Sequence, residues 1–512
     1  MITQVFNVSI SYNKYTMSYI NDLRTFKEEE KEFLKNLEAQ DLSYNQGEFL
    51  KVDPFDMCNK HLMTSCFGNN NNNPYLSCAM APAPGQTAKD YTPIEGDPDK
   101  CLSFHMGFNE AIVIIGETPP EVTYFSYGAY LNLRYVEKQD RKPVDIKITP
   151  IRNKPIKSIN DHHELVYGCL GEPLNLLKIN TPGTKEGILD HNCPFNQPFL
   201  IIFTSNEDLR KQIYEAAVKA NISRDSINTI VIPQDIVNLG IDETCDTVSI
   251  LNRISNCKKD NDKDTKNDVK LKAYIKRPPV NAYRITANYK GGSPISIPNL
   301  SVRGNGKTEL QYIKPVEELR KRILSAYCDE YDAVELTTDV WLQESYIAIQ
   351  QNLNDLGEGR DTSYLATGSF ILPYEDAFLV AYGVNHAQTK KCTYSNIIVY
   401  GSKYDNGVVS ANSKEILGSA KEYFEGSDVD KLYAYKFGFQ NNKNCNNYKQ
   451  IPSADPKTFK DNPQTENINP AEEIYIGFRA YLEQCTKVGP SPNELIFDRV
   501  ILFIKKDRHK NS

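Results

Sequence analysis

The sequence predicts an α+β protein of mixed sheets flanked by helices, and three observations carry that prediction. Short apolar runs bounded by Pro, Gly and Asn recur along most of the chain, as strands do. Helical spacing of apolar residues is confined to a few segments. One stretch, 198–233, reads as strand, helix and strand in a single unit. With 512 residues and 40% hydrophobic content, the chain is globular and too long for one simple core. Three regions are expected: a helix plus a Cys-, Pro- and Asn-rich region over 1–100, an α/β domain over 101–290, and a second α+β domain over 291–512. No internal repeat of fixed period is visible.

The elements follow in order. Residues 19–40 are charged, with Leu23, Phe26, Phe33, Leu34 and Leu37 at roughly helical spacing. Asn69 to Asn73 form a low-complexity turn closed by Pro74, expected as a mobile loop tip. Ala111–Ile115 is a continuous apolar strand closed by Gly116, and Thr118-Pro119-Pro120 is a rigid turn. Val122–Tyr127 is a strand that continues through Tyr130 to Tyr135, and Asp145–Ile148 is a short one. Pro198–Thr204 is a buried strand. Ser205 with Asp208 reads as a capping box before a helix over Leu209–Ala220. Ile227–Ile232 is a second strand, placed parallel by a right-handed crossover. Residues 257–270 alternate Lys and Asp and read as a solvated loop. Residues 291–309, rich in Gly, Ser and Pro, suggest a linker or the rim of a site. Helices are expected at Val316–Tyr327, Trp341–Leu353 and Ser413–Phe424. Strands are expected at Ala377–Tyr382, Asn396–Tyr400, Leu432–Phe439, Glu473–Tyr481 and Leu495–Ile504.

Composition excludes several classes. A net charge of -7 argues against a nucleic-acid partner, which would call for a basic face. No run approaches the ~18 apolar residues that announce a membrane helix. Met1–Ser18 has no apolar core of a signal peptide. Against that stand 12 dispersed cysteines without a CxxC pair, which fit disulfides in an exported protein better than a zinc site. Sequons at Asn7, Asn221 and Asn299 agree with export. The expected location is therefore extracellular, with the cytoplasm as the alternative. No cofactor motif is present: Gly304-x-Gly306-Lys307-Thr308 ends like a phosphate loop but lacks its upstream glycine and strand. Asp161-His162-His163-Glu164 with Asp190 and His191 could meet around a metal, but a polar surface loop is the plainer reading, and no metal or cofactor is expected. The acidic cluster Asp329, Glu330, Asp332, Glu335 and Asp339 does not match a calcium loop and reads as a solvated face.

Several segments are similar to one family. These are Gly116-x-Thr118-Pro119-Pro120-x-Val122-x-Tyr124-Phe125-Ser126-Tyr127, Gly359-Arg360-Asp361-Thr362-x-Tyr364, and Tyr382-Gly383-Val384-Asn385-His386-Ala387 followed by Tyr394-Ser395-Asn396. Leu432 to Phe437 and Gly489-Pro490-x-Pro492-x-Glu494 also fit. The chain resembles a group of uncharacterised, mostly exported proteins of bacteria, microalgae and protists, over about residues 100–505. The resemblance implies export but no activity.

Leu356 to Gly401 gathers the polar groups most in need of explanation, since polar side chains beside strands are paired or used. His386 is the candidate general base. Asp361 could orient it, Arg360 could clamp an anionic group, and Asn385 could stabilise an oxyanion. Tyr364, Tyr394 and Tyr124 are candidate substrate-binding residues. Equally, Arg360-Asp361 could be a structural ion pair and His386 the cap of a turn. Ser395 and Ser126 are weak nucleophile candidates, as neither lies in a G-x-S-x-G elbow. Two readings result. One is an extracellular hydrolase or lyase acting on a small polar substrate. The other is a non-catalytic secreted binding or surface protein that recognises a glycan or protein partner through some of its 31 tyrosines. Solvent access at His386 separates them.

Overall fold

The structure is a computed structural model. It describes residues 27–506 apart from 61–64, 72, 138–161, 186–187, 190–192, 257–262, 290, 343, 374–376, 441–444 and 455–464. Asp145–Ile148, Asp161, Asp190, His191, Asn7 and the start of the first helix lie outside the described residues.

The protein is α+β, and its mixed sheets are built twice on one plan. In the first unit a five-stranded sheet runs in the order Leu42–Gln46, Val280–Ala287, Glu110–Glu117, Pro198–Thr204, Ile227–Val231. In the second the order is Tyr331–Leu336, Arg499–Lys505, Ala377–Val384, Leu432–Gly438, Tyr448–Gln450. The pairing pattern is the same in both: three antiparallel neighbours, then one parallel pair. Each unit adds a second, antiparallel sheet. One places Glu48–Val52, Tyr75–Ala79, Thr247–Ser255, Tyr124–Tyr135 and His163–Cys169 side by side. The other does the same with Thr338–Val340, Thr362–Thr367, Ile474–Tyr481, Tyr394–Gly401 and Asn406–Asn412. The stretch expected as a separate N-terminal region gives its strands to the first unit.

The central strands are apolar throughout because both their faces are covered. In Glu110–Glu117, Ile112 and Ile114 pack between the two sheets against Phe125, Tyr127 and Ile250. Ala111, Val113 and Ile115 turn outward under the helices over 27–38 and Glu207–Lys219, meeting Phe33, Leu37, Leu209 and Ile213. The second unit repeats this layering. Leu379 and Ala381 face Ile397, Ile476 and Phe478. Val380, Tyr382 and Val384 lie under the helix Ile313–Tyr327. Each Val, Leu, Ile or Phe side chain so buried contributes about 1.5–3 kcal/mol.

Several sequence expectations change in detail. The strand-helix-strand unit is parallel as expected, but Asn206, not Ser205, caps its helix, accepting from the Asp208 and Leu209 amides. The charged stretch ends earlier than read, because Thr265 and Asp268 form a capping box that starts the helix Lys266–Lys276. Ser413–Phe424 is not a continuous helix: Gly418, at φ +81°, leaves only a short turn over Ser419–Glu422. The helix read from Trp341 begins at Ser345, since the Trp341 amide donates to the Tyr364 carbonyl. Among the described residues, no helix is long and apolar enough to cross a membrane.

Candidate functional site

The outer faces of the two second sheets meet. Strand alternation decides what they carry. On Thr247–Ser255, Val248, Ile250 and Ile254 enter the core, so Ser249, Leu251, Arg253 and Ser255 share the other face. On Ile474–Tyr481, Ile476 and Phe478 enter the core, so Tyr475, Arg479 and Tyr481 face outward. The two arginines occupy equivalent places. Arg253 is flanked across the sheet by Tyr75 and Ser126, and Arg479 by Tyr364 and Asn396.

Each arginine grips a loop of the other unit. Arg253 Nη2 donates to the carbonyl of Gly357, and Arg479 Nη2 donates to that of Gly68. The loops match residue for residue. Phe67-Gly68 and Leu356-Gly357 all have φ between +50° and +69°, a conformation in which glycine pays no steric penalty. The Cys66 and Gly68 amides donate to Tyr404 and Asp405 of the second unit at 2.7 and 2.8 Å. The Asp355 and Gly357 amides donate to Val166 and Tyr167 of the first at 2.9 and 2.7 Å. The junction is thus a pseudo-twofold exchange of loops. The Asn run read as a mobile tip belongs to it. Asn69, Asn70 and Asn73 are buried. Asn70 Nδ2 donates to the Tyr481 hydroxyl at 3.0 Å, and Asn69 exchanges hydrogen bonds with Gly407 of the second unit.

A cavity of about 360 Å³ opens inside this junction. Val52, Met57, Leu165 and Leu251 form apolar walls. Arg253, Arg479, Tyr75 and Tyr364 also line it, with Ser77 and Asn132. Both arginines are 6% exposed, and neither Nε has a hydrogen-bond partner. The Arg253 guanidinium lies 5.0 Å from the Tyr130 ring centre, and that of Arg479 lies 5.2 Å from Tyr364 and 5.7 Å from Trp341.

The sequence-selected residues divide between this junction and two other places. Tyr124, Tyr364, Tyr394 and Asp361 gather at the junction. The Tyr124 hydroxyl donates to Asp361 across the two units. The Tyr124 and Tyr394 rings both pack on Tyr481, with centroids 4.8 and 4.7 Å away. Burial, then the Asp361 charge, holds the Tyr124 phenol well above its usual range. Burial likewise raises Tyr364. Arg360 lies elsewhere, bound to Glu172 at 3.2 Å, to Glu344, and to the Ser301 carbonyl at 2.6 Å.

His386 and Asn385 sit at the far end of the second unit's first sheet. Asp361 does not orient His386, because other carboxylates occupy both ring nitrogens: Glu309 at 2.9 Å from Nδ1 and Asp498 at 3.3 Å from Nε2. Glu309 also accepts from the Thr389 hydroxyl and the Ile496 amide, and Asp498 from the Tyr433 hydroxyl. His386 is 3% exposed. Burial works against its charge, but Glu309 and Asp498 outweigh burial and hold its pKa well above the usual imidazole range. In turn, His386 outweighs the effect of burial on Glu309 and lowers that carboxyl. An imidazolium that donates to two carboxylates has no lone pair for a general base to use. Asn385 is fully buried, and its Nδ2 donates to the Ser413 carbonyl at 3.0 Å.

Arg253, Arg479 and the glycine loops escaped sequence reading. Their signal was a lone cation inside an otherwise apolar strand, in ILNRIS and YIGFRAY.

No protein-family model matches the chain, and no curated protein matches it in sequence. Among solved structures, the chain is similar to an uncharacterised protein of Burkholderia cenocepacia at 10% identity and TM-score 0.34, covering 96% of this chain and 90% of that one. It is likewise similar to a Vibrio parahaemolyticus protein at 9% identity and TM-score 0.34, covering 94% and 97%.

Proposed function

We propose that the protein is a binding protein that holds a small polar ligand in the cavity between its two units. One observation carries this reading: equivalent elements of both units converge on a single cavity with apolar walls and a few buried polar groups, the ordinary make-up of a ligand site. An extracellular setting is part of the proposal. The sequon residues Asn221 and Asn299 are exposed, and Cys58 and Cys66 are neighbouring thiols close enough to influence one another's ionisation, a pair that an oxidising compartment could join.

The hydrolase or lyase reading centred on His386 draws less support, since both ring nitrogens are taken by buried carboxylates. Recognition of a glycan or protein through surface tyrosines also draws little. Tyr124, Tyr127, Tyr130, Tyr394, Tyr400 and Tyr475 are all fully buried.

Trp341, the single tryptophan, reports on the cavity, because its ring lies 3.1 Å from the position a Cβ on Gly68 would occupy. Titration with small polar metabolites should change its fluorescence in the wild type. Leu251→Phe, which narrows the cavity while changing no charged or hydrogen-bonding side chain, should diminish the change. An equal response in both proteins would contradict the proposal.

A further inference from the structure

We infer that the ligand is a small organic anion, a carboxylate or phosphate ester on an apolar body, held between Arg253 and Arg479. The inference rests on the cavity reading above and adds the ligand's charge.

The other buried cations of this molecule set the comparison. Arg284, 1% exposed, meets Glu110 at 3.0 Å. Lys391 meets Glu483 at 2.5 Å, and His386 meets Glu309 at 2.9 Å. Each has a carboxylate, as the cost of desolvating a charge requires. Arg253 and Arg479 are as deeply buried. Among the described residues, however, no carboxylate lies within ion-pair distance of either. Their Nη2 atoms reach glycine carbonyls, and Arg479 also reaches the Tyr400 hydroxyl at 2.8 Å. Asp361 lies near Arg253 but is engaged with the hydroxyls of Tyr124 and Thr362.

Carbonyls, hydroxyls and aromatic faces stabilise a guanidinium without neutralising it. Two such cations facing one cavity leave a net positive region, in which Asp361, near Arg253 but not in contact with it, is the one carboxylate that acts on either guanidinium among the described residues. The walls state the rest of the chemistry. Val52, Met57, Leu165 and Leu251 would bury an apolar body, so a bare inorganic ion would leave most of the cavity unfilled. Tyr75 and Tyr364 line the same space, and their hydroxyls can add hydrogen bonds to an oxyanion, whereas the Ser77 hydroxyl donates to the Ile250 carbonyl at 2.9 Å.

The test titrates the intact protein with phenyl phosphate, benzoate and neutral benzyl alcohol, followed by calorimetry and by Trp341 fluorescence. The inference expects either or both anions to bind, and benzyl alcohol to bind about tenfold or more weakly. The better anion distinguishes a phosphate ester from a carboxylate. Arg479→Gln and Arg253→Gln should each weaken anion binding by about tenfold to a hundredfold while leaving benzyl alcohol nearly unchanged. Should either variant fail to fold, Leu251→Phe, which keeps both charges and narrows the cavity, should still weaken binding of all three probes. Benzyl alcohol binding as tightly as the anions, and weakened in Leu251→Phe, would overturn the anion and leave the cavity reading standing. Anion binding unaffected by Leu251→Phe would overturn both. No binding of either anion up to millimolar concentration would overturn the inference.

Discussion

The two units share their junction and differ in their interiors. At the junction Arg253 answers Arg479, Tyr75 answers Tyr364, Tyr124 answers Tyr394, and Phe67-Gly68 answers Leu356-Gly357. Inside the first sheets the correspondence fails. The first unit buries the ion pair Arg284–Glu110, where matching strand positions of the second carry Leu502 and Ala377. The second buries Glu309, His386 and Asp498 just past Ala377–Val384, where the first has Thr118-Pro119-Pro120 past its own strand. The two interiors thus differ in packing chemistry, while the paired arginines and glycine loops of the junction match. The matched elements are those that hold the two loops and line the cavity.

Breaking an unmatched interior should have the largest effect. His386→Gln leaves two buried carboxylates facing one another and should cost about 3–5 kcal/mol in denaturant unfolding. Because the folded-state pKa of His386 is raised, its contribution is complete below the ordinary imidazole pKa and fades as pH rises through the elevated one. Wild-type stability should therefore fall on the alkaline side, and that fall should vanish in His386→Gln. An undiminished variant would mean the triad is not ionised as described.

Breaking the junction should cost less, and equally on its two sides. Arg253→Gln strips the Gly357 carbonyl of its donor, and Arg479→Gln leaves the Gly68 carbonyl only the Tyr400 hydroxyl at 3.4 Å, each a loss of about 1–3 kcal/mol. Losses differing by more than twofold would break the pseudo-twofold comparison.

The glycines sharpen it further. An added Cβ meets Tyr167 at 2.6 Å on Gly357 but Trp341 at 3.1 Å on Gly68. Both alanine variants carry the penalty of positive φ, about 1 kcal/mol. Gly357→Ala should cost more than Gly68→Ala, and the reverse order in thermal unfolding would show that the loops are not held as described.

The smallest effect separates the next residue of each loop, Asn69 in one and Glu358 in the other. Burial, then the neighbouring Asp355 charge, raises the Glu358 carboxyl to about 8, outweighing Arg303 at 3.2 Å. Its folded-state pKa exceeds its unfolded one. The resulting stability is complete at acid pH and is lost as pH rises toward 8. Glu358→Gln should flatten that slope and be the more stable protein at pH 8. An unchanged slope would mean Glu358 is already ionised.

Much of the fold could be read from the chain. Ala111–Ile115, Pro198–Thr204 and Leu432–Gly438 announce themselves as buried strands, and the helices over 207–219 and 313–327 show helical spacing. The duplication could not be read. The separation of equivalent residues is 289 for Tyr75 and Tyr364 but 226 for Arg253 and Arg479, so no fixed period survives. Tyr124, Tyr364, Tyr394 and Asp361 were singled out for polarity beside strands, and they meet at the junction. His386 was singled out for its chemistry, and its environment of two carboxylates arises from Glu309 and Asp498, far apart in sequence. The Asn run looked like a loop tip because its partners, Tyr481 and Gly407, are more than three hundred residues away.

The most direct test is a crystal structure of the protein with phenyl phosphate. The account predicts the phosphate between the Arg253 and Arg479 guanidiniums, with the phenyl ring against Leu165 and Leu251. An empty cavity in crystals of a protein that binds phenyl phosphate in solution, or the phosphate bound elsewhere, would contradict it.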